Sequence, residues 1–348
     1  MKVKLIDCTL RDGGNFNNWL FSYKDVNKLV NKLDGVGLDI IEVGYRGGSG
    51  SNKAIKVGEA ANCPKDFIKG LPITKHADLS VMVVPSACPI DSLKDLDVNL
   101  VKWVRVASYP HNIRKALPYV EFLKKKGFNV GLNLMAASYS TSTQIQEIAK
   151  LGHEIGTDVF YIADSFGALT PDGVAERINA IVEVVDCPVG FHGHNNLGLA
   201  FANTIEAIKH GASYIDTSLC GMARGAGNLP TEQFTSAMNK WGKSNYNVED
   251  CIDIADYVLN YILKSPMKIS KPEIVCGLNN IHYYYYDLVE SICKENNLNI
   301  LEISRKLGEL LPDKVDILYV NEVMDQLKGL NDRRGIHENE KIKRTIRV

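Results

Sequence analysis

The chain has 348 residues, 45% of them hydrophobic, and a formal net charge of -1. This length allows one large hydrophobic core or two medium ones, and the balanced charge argues against a nucleic-acid or membrane-surface role. No apolar run is long enough to span a bilayer, and the eight cysteines lack Cys-x-x-Cys spacing, which predicts reduced thiols in a cytoplasmic protein.

Two kinds of local pattern alternate along most of the chain. Short apolar, β-branched runs predict eight strands, in chain order Val3–Cys8, Leu38–Val43, Leu79–Val84, Val101–Val106, Phe128–Met135, Asp158–Ala163, Pro188–His192 and Ser213–Ser218. The first run is short and interrupted by an acid, so we expect a strand and not a signal peptide. Amphipathic patterns between the runs predict helices over Tyr23–Gly35 (with Ser22 as its N-cap), Ile113–Lys125, Thr143–Ile155, Pro171–Val184 and Leu199–His210.

Eight strands separated by helices are the count of a closed (β/α)8 TIM barrel. The competing fold, a doubly wound open sheet, rarely needs eight such units, and no Gly-x-Gly-x-x-Gly motif follows the first predicted strand. We therefore expect a barrel, with its active site at the C-terminal ends of the strands.

The alternation stops at about Asn245. Further helical patterns predict a C-terminal helical appendix that packs on the barrel or forms a lid over it; they cover Val248–Leu263, Asp287–Asn296, Ile300–Leu311 and Val315–Gly329. We accordingly expect a catalytic barrel over residues 1–243, a helical region over 244–330 and a charged, mobile tail over 331–348.

Two histidines at the end of the seventh predicted strand suggest a metal site. His192 and His194 are separated by Gly193, and side chains at i and i+2 on a strand point to the same side. Both imidazoles can therefore aim at one point, where a divalent ion could bind. A bare His-x-His pair is more often two ordinary polar residues, so the assignment depends on what ends the other strands.

Polar residues end several other predicted strands and converge on the same rim. Asp12 follows the first strand and completes a set of two imidazoles and one carboxylate, which suits a six-coordinate ion with open positions. No thiolate is evident in this set, which favours Mn²⁺ or Mg²⁺ over a structural zinc. Arg11 could stabilise a developing oxyanion, form a rim ion pair with Glu42, or do both. Asn133 lies at the end of the fifth strand, and we expect it and Glu42 to contribute to substrate binding at the same rim.

Three segments resemble the DRE-TIM metallolyases, an HMGL-like superfamily, and most of all its 4-hydroxy-2-oxovalerate aldolases. They are Thr9–Gly13, Tyr161–Ala168 and His192–Asn228, and the likeness covers roughly residues 1–240. The resemblance implies that Asp12, His192 and His194 hold the metal, that Arg11 stabilises a pyruvate enolate, that Ser165 contacts the substrate carboxylate, and that Asn228 lies near the metal. The ordinary alternatives are a strand-end cap for Ser165 and a turn residue for Asn228.

The chain departs from this family at two positions. Family aldolases carry a histidine that acts as general base four residues after the motif arginine, where this chain has Asn15. They also carry a tyrosine in the C-terminal region, at a position that aligns with His282 here, just before a run of four tyrosines. We hypothesise that His282 has taken over as general base, since imidazole titrates near neutral pH. The alternative is that His282 only lies on a helix face.

The resemblance predicts a class II aldolase that joins or cleaves a bond between the enolate of pyruvate, or a related 2-keto acid, and an aldehyde. An acyl-CoA Claisen synthase or lyase on the same barrel is one alternative. A non-catalytic metal-binding partner subunit is another, because Asn15 cannot act as a base. The resemblance also allows a homodimer and an acylating aldehyde dehydrogenase as partner.

Overall fold

Eight parallel strands close into a barrel in a computed structural model that describes residues 2–48 and 56–309. The strands follow one another around the barrel in chain order, and the last pairs with the first. They are β1 Lys4–Asp7, β2 Ile40–Tyr45, β3 Asp78–Val83, β4 Trp103–Ser108, β5 Asn129–Leu134, β6 Val159–Asp164, β7 Val189–Gly193 and β8 Ala212–Thr217. The predicted TIM barrel is confirmed, and each predicted strand overlaps its observed counterpart with ends that differ by at most two residues.

The inner face of the barrel combines an apolar layer with a charged one. Alternate residues of each strand point inward, so Trp103 and Arg105 of β4 both enter the interior, where they are buried. The guanidinium of Arg105 lies 4.3 Å from the ring centroid of Tyr161 on β6. Gly190 of β7 leaves room for that ring, because a Cβ there would lie 2.1 Å from Tyr161 Cδ1. The charged layer lies directly below the C-terminal rim of the barrel.

Helices cover the outside of the barrel and bury their apolar faces against the strands. The first eight described are α1 Gly14–Asn17, α2 Tyr23–Val36, α3 Lys65–Lys69, α4 Ile113–Lys125, α5 Ser142–Glu154, α6 Pro171–Val182, α7 Ala200–Lys209 and α8 Thr231–Lys240. On α2 the buried face includes Val26, Leu29 and Leu33 at helical spacing. Ser22 caps this helix in a capping box, as the sequence predicts.

Up to residue 309, where the described part of the chain ends, four further helices follow the barrel: α9 Val248–Tyr257, α10 Lys271–Asn279, α11 Tyr286–Glu295 and α12 Ile300–Glu309. A π-helical segment, Val258–Leu263, continues α9, and both pack into the core of the barrel. The other three helices share a separate small core. Helix α10 was not predicted from the sequence, although Ser270 and Glu273 form a capping box at its start.

Part of the predicted C-terminal region lies outside the described residues. This applies to the helix Val315–Gly329 and to the charged tail over 331–348. The division into parts at residues 243 and 330 stays a prediction. Among the described helices, none is both long and apolar enough to cross a membrane. All eight cysteines lie within the described residues and none forms a disulfide.

Candidate active site

A tight turn after β1 places Asp12 at the barrel rim. The backbone N–H groups of Arg11, Asp12 and Gly13 all donate to the carbonyl of Cys8, at 3.1, 2.7 and 3.2 Å. A Cβ at Gly13 would lie 2.2 Å from the carbonyl oxygen of Thr9, so only glycine fits there. The turn therefore fixes the direction of the Asp12 carboxylate.

Asp12, His192 and His194 bring three potential ligand atoms together in a buried cluster. The two Nε2 atoms lie 3.3 Å apart, and Asp12 Oδ2 lies 3.4 Å from that of His192 and 3.6 Å from that of His194. Two imidazole nitrogens and one carboxylate oxygen on one face form a donor set that suits a divalent ion and leaves positions open for substrate. These three residues, which we call the metal set, therefore fit the divalent ion expected from the sequence.

The two carboxylate oxygens of Asp12 have different partners. Oδ1 is held by Arg11 Nη1 at 3.0 Å and by Asn15 Nδ2 at 3.1 Å. Oδ2 faces the two histidines and accepts from Asn228 Nδ2 at 2.8 Å. The buried Oδ1 of Asn228 has no hydrogen-bond partner among the described residues. Such an orphaned acceptor beside the metal set provides a further oxygen for a cation or for a donor group of a substrate.

Asp216 orients His192 from below. Its Oδ2 lies 2.8 Å from His192 Nδ1 and 2.6 Å from Arg105 Nη2. A carboxylate at this position accepts the Nδ1 proton and leaves the lone pair of Nε2 facing the metal set. Burial opposes the ionisation of Asp216, but Arg105 and the His192 hydrogen bond lower its pKa to about 2. The sequence analysis did not select Asp216.

Buried ion pairs link the first, second, fourth and eighth strands beneath the metal set. Glu42 Oε2 accepts from Arg11 Nε at 2.6 Å and from Arg105 Nη1 at 3.1 Å. Arg11 thus pairs with Glu42 and also contacts Asp12, so both roles that the sequence suggests are geometrically available. Burial alone would lower the pKa of Arg11, but Glu42 and Asp12 hold it well above its usual range. The guanidinium is charged at every relevant pH.

The histidines of the set are electrostatically unequal. Burial, followed by the positive charge of Arg224, holds the pKa of His194 well below its usual range, so this ring is neutral. Burial also disfavours the charged form of His192, but Asp12 and Asp216 raise its pKa overall. For Asp12, burial is outweighed by Arg11 and by the His192 hydrogen bond, and its pKa lies well below the usual range. The carboxylate is therefore ionised and ready to bind a cation.

Two predicted substrate residues lie inside the barrel mouth. Ser165 directly follows β6, and its Oγ accepts from the backbone N–H of Ala136 at 2.9 Å, which leaves the hydroxyl proton available. Asn133 on β5 is buried, and its Oδ1 has no hydrogen-bond partner among the described residues. Neither residue directly contacts the metal set in the described part of the structure.

The segment after α10 brings His282 close enough to the site for charges there to act on it. Its ring stacks on Tyr284, with centroids 5.0 Å apart, and its Nδ1 accepts from the backbone N–H of Tyr284 at 3.3 Å. Burial, followed by the charge of Arg224, holds the pKa of His282 well below its usual range. The hydroxyl of Tyr284 donates to Asn15 Oδ1 at 2.7 Å. Asn15 therefore joins this segment to the Asp12 carboxylate.

Asp216, Arg105, Arg224 and Tyr284 were not among the site residues predicted from the sequence. A usable signal exists for Asp216 and Arg105, because each is the single charged residue of its strand and lies two positions after an aromatic residue on the same inward face. Arg224 and Tyr284 lie outside regular strands, and no local pattern indicates where their side chains point.

Comparison with known proteins agrees with this geometry. The family model described as HMGL-like matches residues 2–258. The 4-hydroxy-2-oxovalerate aldolase of Carboxydothermus hydrogenoformans is 31% identical over 89% of this chain and 92% of that protein. The corresponding Bacillus thuringiensis protein is 30% identical over 88% and 90%.

A solved structure supports the same relationship. It is the N-terminal domain of a proposed aldolase from Bacteroides vulgatus, which is 30% identical and superposes with a TM-score of 0.75 over 85% of this chain and 98% of that one. The predicted resemblance is thus confirmed by sequence and by fold. With its closed barrel and its Asp–His–His cluster at the C-terminal rim, the chain belongs to the HMGL-like family.

Proposed function

We propose that this protein is a divalent-metal-dependent aldolase that forms or cleaves a bond between the enolate of pyruvate, or a related 2-keto acid, and an aldehyde. The curated relatives confirm the aldolase class over the acyl-CoA and non-catalytic alternatives. The observation that carries the proposal in this chain is the convergence of the Asp12, His192 and His194 ligand atoms beside the Arg11 guanidinium.

Asp12, His192 and His194 would hold the metal, for which we propose Mn²⁺ or Mg²⁺. Their donors are one carboxylate oxygen and two imidazole nitrogens, with no thiolate among them. When bound, such an ion polarises the keto group of the 2-keto acid, which we call the donor substrate, and stabilises negative charge on the keto oxygen. The orphaned Asn228 Oδ1 supports a polar ligand at the same place.

The surrounding residues bind and orient the donor. Arg11, held by Glu42, presents a fixed positive charge to the oxygen on which negative charge develops during enolisation. Ser165 would donate its free hydroxyl proton to the donor carboxylate. Asn133 would supply an acceptor in the barrel interior. Arg11 needs no reorganisation during the reaction, because its guanidinium is already paired and buried.

We propose His282 as the general base that removes the C3 proton. Its pKa lies well below the usual imidazole range, so the ring is neutral, which is the form a base needs, but it accepts a proton less readily than the ordinary imidazole expected from the sequence. The bond from Tyr284 N–H to Nδ1 places the proton of the neutral ring on Nε2. His282 must therefore release this 3.3 Å bond, or move its proton to Nδ1, before Nε2 can accept a proton.

The decisive experiment is metal-dependent exchange of the pyruvate methyl protons in D₂O, followed by NMR. The wild-type protein should exchange them with Mn²⁺ or Mg²⁺ and stop when EDTA is added. Asp12→Ala should abolish exchange, whereas Asp172→Ala, an exposed carboxylate on α6, should retain it. Claisen synthases deprotonate the acyl-CoA instead, so absence of exchange in the wild-type protein would contradict the pyruvate proposal.

The substrates proposed here are small molecules, and none of the described helices could span a membrane. A homodimer, an aldehyde dehydrogenase partner and a cytoplasmic location stay predictions. Sedimentation of the purified protein, alone and with an acylating aldehyde dehydrogenase, tests the first two.

A further inference from the structure

Arg224 stands at the mouth of the barrel in a position that the sequence analysis did not assign. It belongs to the loop after β8, and this loop is pinned to the end of β7 by a bond from Asn195 N–H to the carbonyl of Gly227 at 2.8 Å. Arg224 Nη1 lies 3.6 Å from Asp12 Oδ1, and its Nη2 donates to the carbonyl of Ser165 at 3.1 Å. The guanidinium thus lies between the metal set and the predicted carboxylate contact.

Among the three arginines near the site, Arg224 is the one with an incomplete set of partners. Arg11 pairs closely with Glu42 and Asp12, and Arg105 pairs with Glu42 and Asp216. In the described part of the chain, Asp12 is the only carboxylate that pairs with Arg224, and only at 3.6 Å. Its side chain is 15% exposed, against 5% for Arg11 and 1% for Arg105. Arg224 is therefore the most accessible of these cations.

A divalent ion would weaken the one ion pair that Arg224 has. The ion and Arg224 would compete for the carboxylate of Asp12, which already forms an ion pair with Arg11 at 3.0 Å. Without the ion, three guanidinium groups face three carboxylates, those of Asp12, Glu42 and Asp216. With the ion, these paired groups carry an excess of two positive charges, and Arg224 lacks a full counter-ion among them. A buried or half-buried cation in that situation favours an anionic ligand.

We propose that Arg224 binds the carboxylate of the 2-keto acid donor, beside Ser165. The inference rests on the proposed function, because it names the residue that recognises the donor class. A guanidinium matches a carboxylate with paired N–H donors, and such charge-assisted bonds are among the strongest available. A donor enolate carries two negative charges, which balance the two that the ion adds. Arg224 accordingly selects 2-keto acids over uncharged ketones.

Oxalate, a dianion with the shape of enolpyruvate, tests the proposal without turnover. Its affinity for the Mn²⁺-loaded protein is measured by calorimetry for wild type, Arg224→Gln and Arg224→Lys. The glutamine variant should bind oxalate about 10- to 100-fold more weakly, and lysine should restore part of the loss. Arg114→Gln, which removes an exposed arginine on α4, should change nothing.

Mn²⁺ affinity without oxalate should move in the opposite direction. Removing Arg224 frees Asp12 from a competing cation, so the glutamine variant should bind Mn²⁺ about two- to fivefold more tightly. General damage to the loop would weaken both ligands. Unchanged oxalate affinity in a folded Arg224→Gln protein overturns the proposal.

Two kinetic measurements show whether the carboxylate that Arg224 binds belongs to the 2-keto acid or to the aldehyde acceptor. Arg224→Gln should raise the KM of pyruvate in the methyl-exchange assay, which contains no aldehyde. If the variant changes only the KM of glyoxylate as acceptor, and not that of propanal or pyruvate, the donor assignment is wrong. If the wild-type protein itself neither exchanges pyruvate nor binds oxalate, the proposed function fails before Arg224 is at issue.

Discussion

Replacing Asp216 by asparagine should weaken metal binding although Asp216 is not a predicted metal ligand. The residue is buried on β8, and its Oδ2 serves His192 Nδ1 at 2.8 Å and Arg105 Nη2 at 2.6 Å. Asparagine keeps the shape of the side chain but removes its charge. Both neighbours contact Oδ2, so the amide oxygen of asparagine can accept from both at that position, and its NH₂ group can take the place of Oδ1, which has no hydrogen-bond partner among the described residues.

The size of the effect follows from these contacts. A hydrogen bond to a charged group contributes about 1.5–3 kcal/mol and a neutral one about 0.5–1.5 kcal/mol, so losing the charge costs about 1–1.5 kcal/mol. This corresponds to roughly a tenfold loss of metal affinity. If the amide NH₂ of asparagine faces Nδ1, the ring moves its proton to Nε2 and the loss is larger. Arg105 retains its ion pair with Glu42 at 3.1 Å. The loss in free energy of unfolding should therefore be smaller than that of a fully broken buried ion pair, about 3–5 kcal/mol.

Calorimetric titration with Mn²⁺ measures the effect, and thermal unfolding measures the cost in stability. Asp34→Asn is the matched control, because Asp34 is a buried carboxylate that accepts three backbone N–H bonds from residues 75–77. These residues directly precede β3, at the end of the barrel opposite the metal set. The control variant should lower the melting temperature and leave Mn²⁺ affinity unchanged. Equal affinity in wild type and Asp216→Asn would refute the argument that Asp216 orients His192.

Two further predictions concern pH and proton transfer. Burial raises the pKa of Asp164 to about 6, so the folded state binds its proton more tightly than the unfolded state. The contribution of Asp164 to stability should therefore fall by about 1.4 kcal/mol for each unit by which the pH rises between roughly pH 4 and 6. Burial raises the pKa of Asp7 to about 6 as well, so Asp164→Asn should reduce the pH dependence of thermal unfolding by its own share and leave that of Asp7; an unchanged pH dependence would contradict the assignment. His282→Ala should slow pyruvate exchange by about 100-fold or more, whereas Tyr284→Phe, which keeps the stacked ring, should slow it less than about tenfold; the reverse order would assign proton transfer to Tyr284.

The fold could be predicted because its signals are local. Apolar periodicity and capping residues within a window of about ten residues predict each strand and most helices. The number of strand–helix units then favours a closed barrel. Helix α10 was not predicted because it is short and contains Gly277, which weakens a helical pattern, whereas Pro272 in its first turn is compatible with a helix start. Its capping box was the clearest remaining signal.

The metal set could be predicted for a similar reason. His192 and His194 reveal their common direction through strand alternation alone, and Asp12 lies in a motif next to a strand end. The residues beneath them could not be placed in this way. Arg105 meets Asp216 across the barrel, 111 positions away in the chain. Such a contact depends on the register and tilt of all the strands between them, which no local pattern contains.

Closure of the barrel between its first and last strands sets the order in which this protein can mature on the ribosome. Lys4 pairs with Tyr214, and Asp7 with Thr217, so β1 waits for a partner about 210 residues downstream. At about 5–20 residues per second, that wait lasts roughly 10–40 s. Throughout this time the nascent chain presents an open strand edge, a template for aggregation and a natural target for chaperones. Metal loading therefore belongs to the finished barrel, since β7 and the strand that seals the ring are among the last parts of it to be synthesised.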